Sequence, residues 1–79
     1  MDKINIQSRR FVLWRYRDVS GVSGTGLVAE GVALPDGQCV IQWVTQTASI
    51  GIYRNFQELI DIHGHGKCTV IRWIDESAK

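Results

Sequence analysis

The chain has 79 residues, 44% of them hydrophobic, a formal charge of +1 and one proline. That length makes a single domain over residues 1–79, since two would each fall below the size at which a core closes unaided. The apolar content excludes a disordered chain, no apolar run approaches the ~20 residues that cross a bilayer, and the polar start Met1-Asp2-Lys3 is no secretion signal.

Residues 11–17 are rich in aromatic and branched side chains and are expected to form a strand. Val12, Trp14 and Tyr16 share one face. Phe11, Leu13, Arg15 and Arg17 share the other, where apolar residues give way to arginine. The strand is therefore expected to leave the core near Arg15, with Arg15 and Arg17 at an exposed end. Residues 18–26, Asp18-Val19-Ser20-Gly21-Val22-Ser23-Gly24-Thr25-Gly26, read as a loop. A second strand over 27–34 contains Gly31, which marks a bulge or a close backbone approach. Leu34-Pro35-Asp36-Gly37-Gln38 is a hairpin turn: proline presets φ and Gly37 supplies the left-handed residue. Residues 39–44 return as a strand, 45–49 are a polar loop, and 50–53 are a short fourth strand.

Asn55 is a helix N-cap with Glu58 three residues on as its capping-box partner. Phe56, Leu59, Ile60 and His63 follow helical spacing, and Gly64 stands where a left-handed C-terminal glycine belongs. Residues 67–75 alternate, with Cys68, Val70 and Ile74 opposite Thr69, Ile71 and Trp73, as a last strand. The order β-β-β-β-α-β predicts an α+β fold. A small, twisted, mainly antiparallel sheet of about five strands would carry one amphipathic helix on one face. A domain this small buries only about 60–65% of its unfolded surface, so a homo-oligomer is expected.

Charge is uneven along the chain. Lys3, Arg9, Arg10, Arg15 and Arg17 against Asp2 make residues 1–17 carry +4, while Asp18, Glu30 and Asp36 make residues 18–53 carry −3. The remainder balances Arg54, Lys67, Arg72 and Lys79 against Glu58, Asp61, Asp75 and Glu76. Duplex nucleic acid is not an expected partner, because the basic excess it needs is absent. A small anion facing the basic strand is. Cys39 and Cys68 form no C-x-x-C pair and are expected to be reduced and buried.

The glycine-rich loop is the leading candidate site. Gly21-x-x-Gly24-x-Gly26 is neither a dinucleotide fingerprint nor a Walker A loop, since a strand follows it and no Gly-Lys-Ser/Thr is present. It offers backbone N–H groups without Cβ obstruction and the hydroxyls of Ser20, Ser23 and Thr25, which suit an anion nest. The spacing His63-x-His65-x-x-Cys68 matches no standard zinc pattern, so no metal is assigned. His63 is expected to pack on the helix face, and His65, between two glycines, is freer to meet a ligand. The candidate ligand-binding residues are Arg15, Arg17, Asp18, Ser20, Ser23, Gly24, Thr25 and His65, with no catalytic residue and no cofactor. Trp14, Tyr16, Trp43, Tyr53 and Trp73 are expected mainly in the core or a subunit interface, with base stacking on one of them as the other option.

The segment Asp18-Val19-Ser20-Gly21-Val22-Ser23-Gly24-Thr25-Gly26-Leu27-Val28-Ala29-Glu30-Gly31, followed by an Asp-Gly turn and His63-Gly64-His65, resembles a group of short proteins of bacteria, especially actinobacteria, and their phages. The resemblance runs from Phe11 to Asp75 and implies no activity. The expected location is the cytoplasm of a bacterium or of a phage-infected host. A looser analogy is to phage anti-defence proteins that sequester nucleotide signals, which are also short and non-enzymatic. The expected function is therefore non-catalytic binding of an anionic, nucleotide-like molecule. The alternatives are a protein-interaction or inhibitor module acting through an exposed sheet edge, and a small metal- or histidine-dependent hydrolase.

Overall fold

The computed structural model describes residues 4, 6–18, 24–44, 48–64 and 66–76. Five strands, β1 (Arg9–Arg15), β2 (Gly26–Ala33), β3 (Cys39–Trp43), β4 (Ile50–Tyr53) and β5 (Thr69–Trp73), pair antiparallel in the order β4-β3-β2-β1-β5. One helix, α1 (Phe56–His63), links the two edge strands β4 and β5. This is the α+β fold that the alternation and helical spacing predict.

The helix-bearing face of the sheet holds the core. Its buried members are Phe11, Leu13, Val28, Ala29, Ala33, Cys39, Ile41 and, from the helix, Leu59. Register explains the choice of small residues. Phe11 pairs with Gly31, which pairs in turn with Ile41. A Cβ on Gly31 would stand 2.6 Å from Phe11 Cζ and 2.9 Å from Ile41 Cγ2, so the phenyl ring fills the space that glycine leaves. The close backbone approach expected at Gly31 is present, and the irregularity of register falls elsewhere, at Leu13/Trp14, where β2 inserts Val28 between Ala29 and Leu27.

The turn after β2 closes as its composition predicts. Gly37 has φ +96, its N–H donates to the Leu34 carbonyl at 3.0 Å, and the Asp36 carboxylate accepts from the Gln38 backbone N–H at 3.0 Å. At the helix start Asn55 Oδ1 accepts from the Glu58 N–H at 2.9 Å. The reciprocal half of the expected capping box goes to another partner: the Glu58 carboxylate accepts from Arg54 Nε at 2.9 Å, an i,i+4 ion pair. Gly64 is also not left-handed. It continues the right-handed turn at φ −69, with its N–H donating to the Ile60 carbonyl at 2.7 Å. The chain reverses two residues later, at Gly66 (φ +62) and Lys67 (φ +74), and the last strand accordingly starts at Thr69 rather than at 67. Cys39 is buried, Cys68 is half-buried, and both thiols are free.

The chain ends of the sheet are tied by Asp75. Its carboxylate accepts from the Arg10 backbone N–H (2.8 Å), Nε (3.0 Å) and Nη2 (2.9 Å). These side-chain and then backbone hydrogen bonds hold the carboxyl at about 2, below its ordinary 3.8. A carboxyl lowered on folding stabilises the fold above its unfolded value, and that contribution disappears as pH falls from near 3.8 through about 2. Asp75→Asn is expected to flatten the acid limb of a stability–pH profile over that window and leave its shape at neutral pH unchanged. Gly31→Ala is expected to cost about 1–3 kcal/mol through overpacking against Phe11, read as a lower urea midpoint at unchanged slope.

Candidate functional site

Antiparallel pairing brings several elements to one end of the sheet. Arg15 at the close of β1 pairs with Gly26 at the start of β2 and Thr69 at the start of β5, while Trp43 closes β3 beside them and His63 closes α1. The expected exposure of Arg15 is overturned here: its side chain is only 3% exposed. The reason is that β1–β5 pairing runs through Arg15 rather than stopping before it. Its methylene stem follows Phe11 and Leu13 on the core face. Arg15 Nε donates to Thr69 Oγ1 at 2.8 Å, and its Cζ stands 5.8 Å from the centre of the Trp43 ring.

Beyond this pair the ladder continues by one bond, from the Tyr16 N–H to the Cys68 carbonyl at 2.7 Å. Arg17 and Lys67 lie next to that bond along the chain, and both are exposed. The ion pairs among the described residues are Arg10–Asp75 and Arg54–Glu58. Arg15, Arg17 and Lys67 therefore have no carboxylate partner among them. Three cations against the carboxylate of Asp18, which follows Arg17 in the chain, leave this end with an excess of positive charge.

Other expected residues land differently. Asp18 is half-buried, and its carboxylate accepts from the Gly24 N–H at 2.8 Å. It closes the neck of the glycine-rich loop, and the Gly24 amide is engaged within the loop. Gly24 and Gly26 take φ +75 and +86 with open space around them, so backbone handedness, not crowding, requires glycine there. Thr25 is exposed at the foot of β2. Ser20, Ser23 and His65 lie outside the described residues.

The structure adds residues that the sequence reading assigned to packing or left out of the candidate site. His63 packs edge-on to Trp43, ring centres 4.9 Å apart, and its Nε2 lies 2.8 Å from Tyr53 Oη. Tyr53 reaches it by lying along Gly51, where a Cβ would stand 2.7 Å from Tyr53 Oη. Burial, and then the nearby Glu58 charge, raise the Tyr53 phenol above its ordinary value, so it remains a neutral hydroxyl at physiological pH. Lys67 was hidden because only the β1–β5 pairing brings it to the same end of the sheet as Arg17. The glycine two residues before Tyr53 was a usable signal, since an aromatic ring often covers a strand glycine. Gly51→Ala is expected to push the Tyr53 ring aside and separate it from His63, seen as a change in the His63 imidazole NMR titration.

Comparison with curated protein sequences and with solved structures returns no match in either case. A family model described as Acb5 phage protein matches residues 8–75, from just ahead of β1 to just past β5. That span contains every strand and the helix, and so the cationic end of the sheet as well: the chain belongs to the Acb5 phage protein family.

Proposed function

We propose that this protein is a non-catalytic module that binds a small anionic, nucleotide-like molecule, and that it acts against host defence by sequestering a nucleotide signal. The observation that carries the reading is Arg15, a buried guanidinium with no carboxylate partner among the described residues. Burying a charge without a counter-charge is costly. An anion docked at this end, on the exposed Arg17 and Lys67, adds negative charge beside a buried guanidinium that has no carboxylate partner among the described residues. Arginine meets phosphate through a planar fork of donors, and Thr25 stands exposed at the foot of β2. Asp18 holds the loop neck closed rather than touching the anion. A family of phage proteins is compatible with an anti-defence role.

A thermal-shift screen of linear and cyclic nucleotides tests the reading. A true ligand at a hundredfold its Kd stabilises by about 2.7 kcal/mol. Arg17→Ala and Lys67→Ala are surface changes expected to keep the free protein's Tm within about 4 °C while removing the ligand shift. Arg15→Ala is expected to lower the Tm of the free protein itself, because it strips a buried side chain and orphans Thr69 at a cost of about 1–3 kcal/mol. A screen in which no nucleotide shifts the melt overturns the reading.

The interaction reading has one observation of its own. The edge strand β4, Ile50-Gly51-Ile52-Tyr53, carries no charge and no proline, and Ile50 and Ile52 are 65% and 68% exposed. Such an unguarded edge is a template for another strand, and a second copy of the chain pairing β4 to β4 would be a homo-oligomer. Ile52→Lys is expected to convert that species to monomer in light scattering. A wild-type monomer at high micromolar concentration rejects it.

A further inference from the structure

The sheet face opposite α1 carries a second grouping, built from β1, the residue after it, and β5. Val12 pairs with Arg72 and Trp14 with Val70, so Trp14 and Arg72 share this open face with Tyr16. The Arg72 side chain leans along β1. Its Cζ lies 4.4 Å from the Trp14 ring centre and 5.5 Å from that of Tyr16, and Nη2 donates to Tyr16 Oη at 2.7 Å. Arg72 is exposed, Tyr16 is 58% exposed, and no carboxylate among the described residues pairs with Arg72. A guanidinium held over the Trp14 ring and hydrogen-bonded to Tyr16 Oη has already lost much of the rotamer freedom that stacking on a further ring would cost.

We propose that Arg72, backed by Trp14 and Tyr16, is the stacking platform for the planar base of the nucleotide ligand. The proposal rests on the reading above, with Arg17 and Lys67 as the phosphate half of the same site. Continuity along the chain supports the join. Tyr16 and Arg17 are consecutive residues at the end of the β1–β5 ladder, which the bond from Tyr16 N–H to Cys68 O still holds. One residue serves the open face and the next the cationic end, so a ligand folded over this end meets both. A base stacks on a guanidinium plane or an aromatic ring whatever its hydrogen-bonding edge. The platform therefore selects for the presence of a base rather than its identity.

Calorimetric titration of the full chain with ATP, cyclic di-AMP, adenosine and inorganic triphosphate, together with the NMR shift of the Trp14 indole N–H, tests this. The wild type is expected to bind a base-bearing probe at least about tenfold more tightly than triphosphate and to show a Trp14 shift only with the former. Arg72→Ala, a change at an exposed residue, is expected to erase that advantage and leave triphosphate binding unchanged. Arg72→Lys keeps the charge but not the plane and is expected to behave as Arg72→Ala does. Equal affinity for nucleotide and triphosphate, or nucleotide binding indifferent to Arg72→Ala, overturns the platform and leaves the phosphate reading standing. Adenosine binding without triphosphate binding supports the platform and overturns the phosphate half. Silence from all four probes overturns both.

Discussion

One eight-residue helix has to cover the core face of a five-stranded sheet. At 1.5 Å per residue the helix is about 12 Å long, while five strands spaced ~4.8 Å apart span about 19 Å. The helix cannot roof the sheet alone, and the rest of the packing follows from that shortfall. In the middle, Leu59 is buried in one cluster with Ala29 and Ala33 of β2, and Phe11 fills the space beside Gly31. At the helix start, Phe56 meets Phe11 and Trp73 edge-on, with ring centres 5.3 and 4.9 Å away, and Arg9 lies 3.7 Å over Trp73. At the helix end, Trp43, His63 and Tyr53 close the gap.

Arg15 belongs to the same solution. A long side chain with an apolar stem fills the space beyond the helix end, and its charged tip is fixed by Thr69 and the Trp43 ring. The charge is carried into the interior because a thin fold needs the volume. With Arg17 and Lys67 just outside, the packing device also becomes the electrostatic feature on which the binding reading stands. The opposite face, which no helix covers, keeps its exposed aromatic and arginine surface for the same reason: the chain has only one helix among its described residues to spend on two faces.

Much of the fold was legible locally. The alternation of 11–17 and 67–75, the Pro-Asp-Gly turn and the Asn55 cap each depend on neighbours within a few residues, and each appears as read apart from one or two residues at the boundaries. The failures were of two kinds. Gly64 and Glu58 were assigned by motif, but Gly64 is right-handed, the left-handed residues being Gly66 and Lys67, and Arg54 competes for the carboxylate. Arg15 was assigned by polarity, but an arginine on a core face can be buried by its stem. Of the candidate site, the arginines and the loop were visible as types, whereas Lys67, Trp43, Tyr53 and His63 join it only through pairings over long sequence distances.

By itself the sequence determined an α+β succession of elements, the positions of most of its turns and caps, and a concentration of positive charge beside a glycine-rich loop. Those properties follow from composition, periodicity and short-range hydrogen bonding. Only the tertiary structure decided that β5 returns to lie against β1 rather than beside β4, the strand before it. That choice sets Arg15 on Thr69, brings Arg17 and Lys67 to one end of the sheet and sets Arg72 on Trp14. No local pattern encodes it, because the partner of an edge is selected by which face the short helix must bury and how far the chain can travel to bury it.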